Sequence, residues 1–545
     1  MKRKLSMLLC AAMVLGTLVG CGSTTKTEET QIETKKEQVS ASAEGKLEGL
    51  IGENGEITDR AVYTREIGEN TTASTSIMGT SGTSLNNVSY VMIYNPFIYD
   101  EGDGSAMPVS ASMNTGDMSS QIIVGMNKAG GLEPDIEIPT VRSQAENDAN
   151  VDTSGVNREG IRAGGMDPAY NVNDQKDFYH TDETMNNKLL SRFQCLYSGS
   201  YCYIWGLNGS ITADQAQMMG AEFDANIYNS VTSTFGTARF TENGGKINLL
   251  FYPMQEGLGG YFTTADIFSS AEVPESYIAQ YGFNVDHAII HINSAYLTAD
   301  VNYAKSTMAH EFQHLICASD CFNFAETPWM ATWLNEAMSA YAEELVYPGI
   351  KEAGYYNQFM YLSNNFRTGQ SLYNFDTTFD DYIGAYGAVY LFSQYLEQFS
   401  GPDVFSKVHS WWRNSYRADA TEASALAMAL SDQAFQTIIE KYYYSPTINN
   451  TLLSQGDFDL LLSYLTLDFH IECLKPALSN LYGLEDQMHA AMIYSEISPV
   501  DIEGGGRIIV ATQNGNYQIP ADADPNLVYI GLDANFNPVS MVTNQ

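Results

Sequence analysis

The chain has 545 residues, 44% of them apolar and 12% aromatic, which is room for about two to four packed domains and excludes an intrinsically disordered protein. Its formal net charge of −38 excludes nucleic acid and anionic lipid surfaces as favoured partners.

The first residues, MKRKLSMLLCAAMVLGTLVGCGS, set Lys2, Arg3 and Lys4 before an apolar stretch from Leu5 to Val19, the pattern of an export signal over residues 1–21. LVGC, ending at Cys21, resembles the bacterial lipobox. That resemblance implies cleavage before Cys21, lipidation of its thiol and a membrane anchor; a plain secretory signal is the alternative. Loss of residues 1–20 removes three positive charges and moves the net charge from −38 to −41. Residues 22–85, rich in Thr, Ser, Glu, Gly and Lys, read as a solvated tether. In residues 86–175 short runs such as NVSYVMIY and SQIIVGM alternate with Gly- and Asp-rich turns, which predicts a β-rich module. NVNDQKD and DEGDG lack the full spacing of a calcium loop, so no calcium ligands are assigned.

From Leu189 the pattern becomes a hairpin, a helix over TADQAQMMGAEFDANIYNSVTSTFG, and strands KINLLFYPM and DHAIIHI; helical segments then dominate from Pro328 to about His470. The order predicts an α/β part followed by an all-α part over residues 189–475, with a second β module over residues 490–545. Besides Cys10 and Cys21, the cysteines are Cys195, Cys202, Cys317, Cys321 and Cys473, an odd set that argues against a complete disulfide framework. In SRFQCLYSGSYCYIWG, a two-residue turn at Ser198 and Gly199 would set Cys195 opposite Cys202 for a bridge; two reduced thiols are the alternative.

STMAHEFQHLICASD, Ser306 to Asp320, carries the chemistry. On a helix, His310 and His314 are one turn apart and about 40° apart around the axis, so both imidazoles can reach one tetrahedral metal ion. Met308, Phe312 and Leu315 form an apolar stripe on the far side. Glu311, directly after the first histidine, would be the general base on a zinc-bound water. A catalytic zinc ion with an open position needs a third ligand. Asp320 is one candidate, although Cys317 stands where the metzincin pattern has the glycine that turns the chain back. Glu336 is the other, in a helix TWLNEAMSAYAEELV closed by Pro348 and Gly349. There Leu334, Met338, Tyr341 and Leu345 make the apolar stripe, and Glu336 with Glu343 lies opposite; a solvated charged face is the competing account, for Glu344 as well.

HEFQHLI and WLNEAMSAYAEEL, preceded by INLLFYPMQEGLGGYF and followed by YGAVYLFSQYL, resemble the hyicolysin family of secreted bacterial zinc metallopeptidases over roughly Leu189 to Phe399. The resemblance implies a two-lobed zincin domain of the gluzincin kind, flanked here by the β-rich modules. It implies one Zn2+ held by His310, His314 and Glu336, with Glu311 catalytic. Ala340 replaces the Asp of the related NExxSD pattern, and Glu343 could substitute as carboxylate partner of a ligand histidine.

Gluzincins commonly stabilise the oxyanion with Tyr or His. Tyr386, next to Gly387 and Ala388, is the first choice and Tyr382 the second; His287, His291 and His409 are further possibilities. QEGLGGYF fits an edge strand that holds an extended peptide by main-chain bonds, or simply a glycine turn. The expected protein is a membrane-anchored, exported zinc endopeptidase acting on protein or peptide substrates. A non-catalytic surface adhesin or ligand-binding lipoprotein, and a zinc aminopeptidase, are the alternatives.

Overall fold

The computed structural model describes residues 76–78, 84–96, 109–111, 169–183, 187–241, 244–255, 258–263, 266–271, 273, 275–322, 330–349, 371–373, 379–414, 421–442, 455–475, 493–494, 500–502, 504–512, 514–520, 523 and 527–543. The export segment with Cys21, nearly all of the tether and most of the module expected over residues 86–175 lie outside them. Among the described residues no helix is long and apolar enough to cross a membrane.

Strands Gln175–Thr181, Lys188–Ser198, Cys202–Leu207, Ile247–Tyr252, Ala288–Asn293 and Gly260–Tyr261 form one six-stranded sheet in that spatial order. Cys202–Leu207 runs parallel to Ile247–Tyr252, a pairing that needs a crossover, and the helical segments Ala213–Glu222 and Tyr228–Phe235 supply it. Thr212 starts the crossover with a capping box to Gln215. Strand alternation then divides the side chains. Ile204, Leu249, Phe251, Ile290 and Ile292 join the main core with the helices, whereas Cys195, Trp205, Leu250, Tyr252 and Ile289 fill a smaller core on the other face.

The hairpin differs from its expected form. Its strands end at Ser198 and resume at Cys202, and a register shift between Cys195 and Tyr197 pairs Cys195 with Trp205 rather than Cys202. The bulge puts the two thiols on opposite faces, and both are free. Burial pushes the Cys195 thiol up to about 11, leaving it inert.

Gly260–Tyr261 forms the sheet edge, antiparallel to Ala288–Asn293. Its glycines are there for space: a Cβ on Gly260 would stand 2.5 Å from the His291 carbonyl oxygen, and one on Gly259 2.6 Å from Thr307 Oγ1. The edge therefore lies directly against the helix Val301–Phe322.

Beyond the sheet come helices Thr332–Val346, Phe379–Ser400, Val404–Asn414, Glu422–Ala429, Asp432–Tyr442 and Gln455–Glu472. The two β modules expected at the ends of the chain are not separate where the structure describes them. Tyr90–Tyr94 lies between Arg507–Ala511 and Val528–Leu532, antiparallel to both. Val91, Met92, Ile93 and Tyr94 are all buried, so this strand needs cover on both faces and a neighbour on both edges. Tyr94 also ties the shared sheet to helix Gln455–Glu472, its hydroxyl donating to the Ser463 carbonyl at 2.7 Å.

Candidate active site

Asp300 starts the helix Val301–Phe322 by accepting from the backbone N–H groups of Asn302 (3.1 Å) and Tyr303 (3.2 Å). Met308, Phe312 and Leu315 are fully buried, and the Phe312 ring packs 5.2 Å from Phe223 and 5.7 Å from Tyr228 of the crossover. With that stripe held inward, His310 and His314 face the helix Thr332–Val346. This second helix is buried along most of its length, Glu336 and Glu343 included, so the solvated-face account fails for both.

Three atoms converge between the helices. His310 Nε2 lies 3.1 Å from His314 Nε2, and Glu336 Oε2 lies 3.2 Å from the first and 3.5 Å from the second. Glu336 Oε2 is buried without hydrogen-bond geometry to any described donor, which leaves its lone pairs aimed at the same point as the two imidazoles. Two nitrogens and one carboxylate oxygen, all within 4.8 Å of one another, form a donor set that can hold a metal ion and fits zinc. Asp320 is not among them; its Oδ2 is 3.0 Å from His409 Nδ1.

The outer nitrogens have partners as well. His310 Nδ1 is 2.9 Å from Glu343 Oε1, so this ring has a carboxylate on its outer nitrogen. His314 Nδ1 is 3.0 Å from Ser339 Oγ. Burial alone would push the His310 imidazole down, but the adjacent carboxylates of Glu336 and Glu343 outweigh it and hold the ring up at about 10. A metal ion taken up here therefore displaces a proton from His310.

Glu311 is buried, and its Oε2 has no described hydrogen-bond partner. Stranding such an atom costs about 1–3 kcal/mol, a loss that proteins accept where the group has work to do. Burial pushes its carboxyl above the usual range, against the opposing pull of His310 and His314. A carboxylate raised this way is a better proton acceptor.

The ring of Tyr386, on helix Phe379–Ser400, lies 6.4 Å from that of His310 and is half-buried. The side chain of Tyr382 lies outside the described residues. His291, on strand Ala288–Asn293, and His287, just before it, are on the wrong face to serve this site. His291 is stacked 4.3 Å from Tyr261 and bonded to Asp266 at 2.6 Å, and His287 is 2.5 Å from Lys176 Nζ, all on the side of the sheet away from the helix Val301–Phe322. His409 is buried behind His314, bonded to Gln313 as well as Asp320.

No family model matches the chain. It is 28% identical over 249 residues to the neutral metalloprotease ShpI of Staphylococcus hyicus, an alignment covering 44% of this chain and 55% of that protein. The likeness and the donor cluster together support a metal-dependent protease. The chain thus spans about half the length of this curated relative. Sequence reasoning passed over Gln313, which no spacing rule marks, and noted Ser339 only as part of a pattern.

Proposed function

We propose that the chain is an exported zinc endopeptidase of the hyicolysin-like, gluzincin kind, with His310, His314 and Glu336 as ligands and Glu311 as general base. The observation that carries this reading is the convergence of His310 Nε2, His314 Nε2 and Glu336 Oε2, with a Glu311 oxygen that has no hydrogen-bond partner among the described residues on the same helix as the histidines. Zinc, when bound, supplies Lewis acidity toward the scissile carbonyl and lowers the pKa of water. Glu311 takes the proton from the attacking water and passes it to the leaving amine. Tyr386 donates its hydroxyl proton toward the carbonyl oxygen as negative charge gathers there. The edge strand Gly260–Tyr261 gives an extended peptide backbone groups to pair with.

The purified protein is expected to hold about one zinc ion per chain and to cleave an unfolded protein substrate. A zinc-replete preparation that retains no stoichiometric metal overturns the reading. Tyr386→Phe should lower turnover roughly 100-fold with zinc content unchanged, as expected of a lost transition-state donor. An unaltered rate would return Tyr386 to a packing role. The proposal includes a lipid anchor on Cys21, for which Cys21→Ala should release the protein from the membrane fraction or block its processing; undiminished attachment removes it.

A further inference from the structure

Behind His314, buried side chains from three helices form a chain of hydrogen bonds that runs from Asp320 to the ring. Asp320 Oδ2 lies 3.0 Å from His409 Nδ1, and His409 Nε2 lies 3.2 Å from Gln313 Nε2. Gln313 Oε1 accepts from the Ser339 hydroxyl, and Ser339 Oγ lies 3.0 Å from His314 Nδ1, closer than to Nε2 at 3.3 Å. A carboxylate can only accept, so His409 carries a proton on Nδ1, and because the Gln313 amide nitrogen is the atom facing Nε2, Nε2 is the acceptor there. That turns the Gln313 oxygen toward Ser339. The hydroxyl has one proton and its shortest contact is to Gln313 Oε1, closer than the Asn335 carbonyl at 3.1 Å, so with the proton directed there Ser339 is an acceptor toward His314.

The consequence reaches the metal site. With its proton held on Nδ1, His314 keeps a bare Nε2, the atom 3.5 Å from Glu336 Oε2. Were Ser339 to donate to Nδ1 instead, the ring proton would move to Nε2 and the ligand would be lost; the Gln313 oxygen, itself fully buried, would also lose its hydroxyl donor. We propose that Gln313, His409 and Asp320 are positioning residues that fix the Nδ1–H tautomer of His314 and so keep Nε2 available to the metal. This rests on the reading of His314 as a metal ligand. It also gives Asp320 a place: His310 has a carboxylate directly on its outer nitrogen, through Glu343, whereas His314 reaches its carboxylate through three intervening side chains.

The test uses the full chain and two probes, Zn2+ affinity by chelator competition and the visible absorption of the Co2+-loaded protein, alongside melting of the metal-free protein. His409→Leu and Gln313→Leu should each weaken Zn2+ binding by roughly 10- to 100-fold and alter the Co2+ spectrum. His409→Gln should restore affinity to within about threefold of the parent, because its amide can donate to Asp320 and accept from Gln313. Parent-like zinc affinity in a folded leucine variant overturns the proposal. So does a His409→Gln protein as weak as His409→Leu, since packing alone would then explain both. If His409→Leu does not fold, Gln313→Leu carries the comparison. The parent protein and His314→Ala are measured in the same assay: failure of the parent to bind zinc, or parent-like binding by His314→Ala, sinks the metal-site reading itself and is distinct from failure of the relay.

Discussion

Glu311→Gln is expected to keep about one metal ion per chain while peptide hydrolysis falls by roughly 10²- to 10⁴-fold. The two side chains have the same shape, and the three converging donors belong to His310, His314 and Glu336, so the substitution leaves the metal-holding set whole. What it removes is basicity. The amide oxygen cannot take a proton from water, and the buried position that raises the carboxyl's proton affinity gives an amide nothing. The metal-free variant should also melt no lower than the parent, because the lost carboxylate oxygen has no described hydrogen-bond partner. Metal analysis with a peptide-cleavage assay decides the matter: near-parental hydrolysis by a metal-loaded Glu311→Gln protein would show that the base lies elsewhere.

Glu336→Ala should abolish hydrolysis and weaken zinc by more than about 100-fold, beyond the 10- to 100-fold typical when a partner behind a ligand is lost. The size of the effect is what separates the two carboxylates considered for the third position. Glu336 Oε2 stands within 3.5 Å of both histidine Nε2 atoms, whereas Asp320 reaches His314 only through His409, Gln313 and Ser339. Asp320→Ala should therefore stay within the smaller range. A metal titration in which Asp320→Ala loses zinc more completely than Glu336→Ala would sink the ligand set, even with the two histidines retained.

The histidine pair was legible because both groups sit on one helix, where a spacing of four residues fixes their mutual geometry without help from the rest of the fold. Choosing Glu336 over Asp320 was not possible from spacing. That choice depends on how the second helix returns against the first, and the resemblance carried it. Strand parity did hold the information that His291 and His287 share a face with Ile289, but nothing local says which face the helix Val301–Phe322 covers. The cysteine hairpin failed for two smaller reasons: the turn falls later, so that Ser198 pairs with Tyr203, and one bulged residue moves Cys195 to the other face of the sheet. Gln313 and His409 meet across 96 positions, and neither bears a mark in the chain that pairs them.

The shared sheet has a consequence for biogenesis. Tyr90–Tyr94 precedes the strands that flank it by hundreds of residues, Tyr94 pairing with Arg507 on one side and Val528 on the other. Until Arg507–Ala511 and Val528–Leu532 arrive, a wholly apolar strand has both edges unsatisfied, the condition under which nascent chains self-associate. Closing so long a loop adds only slowly to the entropic cost but makes the pairing wait for the later strands. The helices that bear His310, His314 and Glu336 lie between these strands in sequence, so the donor cluster is complete in the chain before the shared sheet can close.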